Sequence, residues 1–149
     1  MRLTSFSDYA LRLLIYAARH RDRLVTIEEA AAAYDISRSH LTKVANLLTR
    51  AGFLSSMRGR SGGLAMGRAP ESLTLGEVLR VTEPDFASME CFGPGTEGAS
   101  GEAKRPAELT AAVGAALTAF LAEMDARTLA DLLPKGETRA EGSGEDGAS

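Results

Sequence analysis

Residues 27–64 read IEEAAAAYDISRSHLTKVANLLTRAGFLSSMRGRSGGL, and the reading of this stretch decides the fold. Thr26-Ile27-Glu28-Glu29 has the form of a capping box and starts a helix through Ala30 to Tyr34. Asp35-Ile36-Ser37 is a three-residue break, the length found between the two helices of a helix-turn-helix. Ser37 is placed as N-cap of a second helix, whose inward stripe is Leu41, Val44, Leu47, Leu48 and Ala51. Its other face carries Arg38, Ser39, His40, Thr42, Lys43, Asn46 and Arg50, donors and positive charge of the kind that suits a major groove. Taken alone, an ordinary solvated helix face would look similar.

The flanks separate the two readings. Gly52 stops the second helix, Phe53-Leu54-Ser55-Ser56-Met57 reads as a short strand, and Leu64-Ala65-Met66 as its return. Between them Arg58-Gly59-Arg60-Ser61-Gly62-Gly63 forms a loop able to adopt positive backbone dihedrals, so the unit is a wing. Arg58 and Arg60 are expected at its tip, directed toward phosphates or a narrow minor groove. A nucleotide-binding loop is the competing idea, but Gly-x-x-x-x-Gly-Lys is missing and the loop joins two strands. The candidate DNA contacts are therefore Thr26, Ser37, Arg38, Ser39, His40, Thr42, Lys43, Asn46, Arg50, Arg58, Arg60 and Ser61.

The charge distribution agrees. The net charge of −3 argues weakly against nucleic acid, but residues 1–68 hold 11 Arg or Lys against 5 Asp or Glu, and residues 69–149 hold 6 against 15. A basic front and an acidic rear would orient the protein on a polyanion. With 149 residues the chain suits one domain plus an assembly element. The single cysteine, Cys91, excludes an intrachain disulfide and a four-cysteine metal site within one chain. No apolar run reads as long enough to span a bilayer and no signal-peptide pattern is visible, so a cytoplasmic location without membrane contact is expected.

Before the central stretch, Thr4 or Ser5 caps a first helix to about His20, with Phe6, Ala10, Leu13, Leu14 and Ala17 as its apolar stripe. Asp8 lies in its first turn, either simply favoured by the helix N-terminus or facing another part of a dimer. After the wing, Thr74-Leu75-Gly76-Glu77 starts a short helix with Leu75, Val78 and Leu79 inward. Pro84 terminates it. Residues 90–105 read as a flexible loop. Helical periodicity returns from Pro106 to about Leu133, with too much apolar surface for an exposed helix, and pairing with a symmetry mate is expected. A break near Asp125 to Thr128, with Leu129 to Leu133 packing back, is compatible with the pattern. The alternative is that this band only completes its own monomer's core. The expected organisation is a winged helix-turn-helix domain over 1–89, the loop 90–105, a dimerisation helix over 106–133 and a disordered tail over 134–149. The fold class is mostly α with a small β-hairpin.

The N-terminal Met1-Arg2-Leu3-Thr4-Ser5-Phe6-Ser7-Asp8-Tyr9-Ala10-Leu11-Arg12, the helix Ser37 to Leu48, the wing Arg58 to Leu64 and Leu75-Gly76-Glu77-Val78 together resemble the Rrf2 family of bacterial transcription regulators, most closely its nitric-oxide-responsive NsrR branch. The resemblance implies a dimeric winged-helix protein that binds a near-palindromic double-stranded DNA operator, in a branch whose members are mostly repressors. It also implies a cofactor: cluster-binding relatives carry three cysteines in the loop before the long helix, and in some a carboxylate from the partner's first helix is the fourth ligand. Glu90-Cys91-Phe92 matches the first cysteine and Asp8 the carboxylate, while Glu97 and Ala103 fall near the other two positions. With soft thiolates missing, a vestigial site at Asp8 and Cys91 and no cofactor are expected, the alternative being the family's iron–sulfur cluster. An enzyme is not expected, since His40 lacks a recognisable catalytic set. The competing class is a winged-helix protein-interaction module without operator recognition.

Overall fold

The computed structural model describes residues 3–86 and 106–135. Thr4 opens helix α1 (Ser5–Arg19) by accepting a hydrogen bond from the Ser7 amide at 3.3 Å. Thr26 opens α2 (Ile27–Tyr34) in the same way, accepting from the Glu29 amide at 3.2 Å. The reciprocal half of the expected capping box does not form there, because the Glu29 carboxylate turns outward to Arg23, 2.7 Å away. Asp35 ends α2 at φ +52°, a left-handed conformation that Asp adopts more readily than most side chains. Ser37 then caps α3 (Arg38–Arg50), and Gly52 at φ +79° ends it as expected.

Strands β1 (Leu54–Met57) and β2 (Gly63–Met66) pair antiparallel, with Leu54 opposite Met66 and Met57 opposite Gly63. Phe53, expected in the strand, instead donates its N–H to the Leu48 carbonyl at 2.9 Å and buries its ring under the hairpin. Val25 adds a third rung: its N–H and C=O exchange bonds of 2.8 and 2.7 Å with Leu64. Helix α4 (Leu75–Thr82) begins with both halves of a capping box between Thr74 and Glu77. It stops at Thr82, before Pro84, and helical geometry resumes over residues 84–86.

Helix α1 runs through the middle of the packing, with Ala10, Leu13, Leu14, Ala17 and Ala18 buried against α3, α4 and the hairpin. Leu41, Val44 and Leu48 of α3 are fully buried, whereas Leu47 and Ala51 of the expected stripe are half-buried. At the start of α1, Glu83 is nearly buried and accepts from the Thr4 amide and hydroxyl at 2.7 and 2.9 Å. Burial pushes its carboxyl up, but hydrogen bonds from Ser7 and Thr4 outweigh that and hold it below its ordinary value.

The last helix, α5 (Ala107–Asp125), ends at the break that the sequence offers near Asp125 to Thr128, short of the full periodicity through Leu133. The chain turns at Ala126 and Arg127, Arg127 C=O accepts from the Leu75 amide at 2.9 Å, and a 3-10 turn over Leu129–Leu132 packs back. Leu129 is fully buried in the main core, and its amide donates to Leu73 at 2.8 Å. Asp125, at the end of α5, makes a bidentate pair with Arg80 at 2.6 and 2.8 Å. Gly76 leaves the space for it, since a Cβ there would collide with the Asp125 carboxylate. The C-terminal half of α5 buries Leu117 and Leu121 beside Leu79 and Phe86, but Leu109 and Val113 remain 52% and 40% exposed. By length and composition α5 is apolar enough to cross a membrane, which corrects the expectation that every apolar run is too short. Its alanines supply the difference. Residues 90–105 and the tail beyond Lys135 lie outside the described residues, so the readings made there stand as expectations.

Candidate nucleic-acid interface

The α3 register divides this helix cleanly. With Leu41, Val44, Ala45 and Leu48 turned into the core, residues 38–40, Lys43, Asn46 and Arg50 are left exposed. Two of the candidate contacts spend their hydroxyls on the backbone. Thr26 is half-buried as the α2 cap, and Thr42 donates to the Arg38 carbonyl at 2.8 Å. Ser37 is exposed, accepts weakly from the His40 amide at 3.5 Å, and shares a 2.9 Å hydrogen bond with Ser39. His40 leans toward α1, where its ring stacks on Tyr9 with centroids 6.4 Å apart. This contact sets the ring's direction while leaving the residue exposed.

Arg58, Arg60 and Ser61 are exposed at the wing, and so is Met57, 62% exposed on the outer side of β1. Gly59 at φ +116° and a Gly62 amide bond to the Gly59 carbonyl at 3.0 Å hold the tip. Among the described residues, Lys43, Arg50, Arg58 and Arg60 have no carboxylate partner. Arg38 does: its Nη2 lies 2.6 Å from Oε1 of Glu28. Sequence reasoning missed Glu28, because an acid in the first turn of a helix is already accounted for by the helix dipole. A separate cleft of about 290 Å³ is lined by Arg21, Arg23 and Arg68, but each is paired with a carboxylate and offers little uncompensated charge to a phosphate.

Asp8 is half-buried in the first turn of α1 and pairs with Arg12 at 3.1 Å, while the Arg12 guanidinium also lies 5.9 Å from the centre of the Tyr34 ring. Cys91, Glu97 and Ala103 lie outside the described residues.

Residues 3–135 match the Rrf2 family, whose description reads iron-dependent transcriptional regulator. The chain is 40% identical over 140 residues to the HTH-type transcriptional regulator NsrR of Bacillus licheniformis, covering 89% of this chain and 92% of that protein. It is 39% identical over 138 residues to NsrR of Bacillus subtilis, covering 92% and 93%. Among solved structures it superposes on B. subtilis CymR, the global cysteine regulator, with a TM-score of 0.67 at 26% identity, covering 89% of this chain and 95% of that one. T. potens IscR gives a TM-score of 0.70 at 20% identity, covering 89% and 85%, and shares the fold.

Iron–sulfur binding is a poor match to the residues present. The whole chain has one cysteine and two histidines, and the Asp8 carboxylate is engaged by Arg12. Among the described residues no group of three His, Cys, Asp or Glu side chains is placed to hold a metal. A cluster needs soft thiolate donors, and two protomers together supply only two. The matched family, the two NsrR relatives and the winged helix-turn-helix geometry agree: the chain belongs to the Rrf2 family of DNA-binding transcriptional regulators, in its NsrR-like branch, with one cysteine where the resembled cluster loop has three.

Proposed function

We propose that two copies of this chain bind a near-palindromic operator of roughly 20 base pairs, each placing α3 in a major groove and its wing on the adjoining backbone. In this reading residues 1–89 are the DNA-binding unit and α5 carries the dimer. Arg38, Ser39, His40, Lys43 and Asn46 read base edges or flanking phosphates. Arg50, Arg58, Arg60 and Ser61 hold the backbone, and Thr26, Ser37 and Thr42 act chiefly by setting the helix starts. The observation that carries the reading is the cation pattern. Lys43, Arg50, Arg58 and Arg60 have no carboxylate partner among the described residues, on the two elements that a winged helix presents to a duplex. The apolar strip at Leu109 and Val113 is covered by the symmetry mate and not by lipid, and the protein works in the cytoplasm. Bound at a promoter, such a dimer represses by occupying it. The signal is not delivered through an iron–sulfur cluster, given the donor set.

Binding-site enrichment from a random duplex library, followed by titration of the recovered site and a scrambled control over a salt series, tests the proposal. A two-fold symmetric motif bound at least about a thousandfold more tightly than the control is expected. Equal, weak binding to both duplexes would overturn operator recognition and favour a winged module that binds protein.

A further inference from the structure

Arg38 is the only cation on the α3 and wing surface that has a carboxylate partner among the described residues. That partner, Glu28, stands in the first turn of α2. Glu28 and Arg38 are 57% and 72% exposed, so burial does not force them together. In the same turn, the Glu29 amide is used by Thr26 and the Glu29 carboxylate by Arg23. Glu28 instead reaches across to the first residue of α3, the end of the helix from which base edges are usually contacted.

Two consequences follow from charge and shape. A carboxylate on a surface that meets phosphates repels them and offsets the charge of Arg38, lowering affinity for any duplex. The contact is a single ion pair between Nη2 and Oε1, which biases the direction of the guanidinium and leaves N–H groups able to meet O6 and N7 of guanine.

We propose that Glu28 is a positioning residue for sequence readout, which aims Arg38 at a base edge and keeps it off phosphates. The pair raises discrimination and lowers non-specific binding. The proposal rests on the DNA-binding reading above and names a specificity element within it.

The test uses the full-length protein, the enriched operator and a scrambled duplex of equal length, titrated over a salt series. Glu28→Gln is expected to bind the scrambled duplex several-fold more tightly, with a salt slope steeper by about 0.9, one further phosphate contact. The operator-to-scrambled ratio should fall by about fivefold or more, the lower end of what a bidentate base contact contributes. Arg38→Lys, which leaves α2 untouched and keeps the charge, should lower the ratio in the same way, and Glu28→Asp should retain part of it. In an Arg38→Ala background, Glu28→Gln should no longer change the ratio. Wild-type protein that discriminates, with a folded Glu28→Gln that discriminates equally, would overturn the role of Glu28 alone. So would an equal loss in the Arg38→Ala background. Wild-type protein that binds both duplexes alike would instead overturn the operator reading, and the readout role with it.

Discussion

Leu129→Ala tests how the two ends of the chain depend on each other. Leu129 lies only four residues beyond α5, yet it is fully buried in the core formed by α1, α3 and the hairpin. Truncating a fully buried leucine costs about 2–5 kcal/mol, depending on how far the surroundings collapse into the space. Collapse is restricted here: the Leu129 amide is bonded to Leu73, Leu75 is bonded to Arg127, and Thr128 bridges to Thr74. The upper half of the range, about 3.5–5 kcal/mol, is therefore expected. For a chain of this size each kcal/mol moves Tm by about 2–4 °C, so a loss of roughly 7–20 °C follows. Urea denaturation should be run at one protein concentration, because dimerisation couples stability to concentration. Leu132→Ala, at a side chain 39% exposed on the same turn, is the control and should cost less than about 1 kcal/mol. A Leu129→Ala loss no larger than that of the control would refute the placement of this turn in the core.

Three other outcomes are expected. Arg60→Ala should weaken binding to every duplex alike and make the salt slope shallower by about one, whereas Asn46→Ala should change the preferred sequence; the reverse assignment in paired titrations would count against this division. Val113→Glu places a charge on the exposed apolar strip of α5 and should yield a folded monomer by sedimentation with most operator affinity lost; a persistent dimer would place the interface elsewhere. Acid should destabilise the fold through Glu77 and Glu83, both held below their ordinary value of 4.5, Glu77 first by Arg68 and Glu83 by hydrogen bonds from Ser7 and Thr4 that outweigh its burial. For a lowered carboxyl, the stabilising contribution is present above the unfolded value and is lost as pH falls through the folded one. Glu83→Gln should therefore be less stable than wild type at neutral pH, with the gap closing below about pH 4.5, and a gap constant from pH 7 to 3 would contradict this.

Much of the architecture is local chemistry, and local chemistry is readable in a sequence. Ser37 before an apolar period, Thr74 three residues ahead of Glu77, and Gly52 after the last turn of α3 each satisfy or end a helix with atoms a few residues apart. The exposed polar face of α3 and the arginines of the wing follow once the buried stripe is known, since a helix that commits one side to the core must present the other. Four features needed the folded chain. Glu29 leaves its capping role for Arg23, Val25 joins the hairpin through Leu64, Glu83 caps α1 from 79 residues away, and Glu28 holds Arg38 across a turn. The break near Asp125 to Thr128 is readable in the sequence, but periodicity identifies only which side chains are apolar and not which surface will cover them. The turn at Ala126 and Arg127 sends Leu129 into the core beside α1 and leaves Leu109 and Val113 exposed. That partition depends on which long-range contacts bury more apolar surface, a comparison that exists only once the elements are packed together.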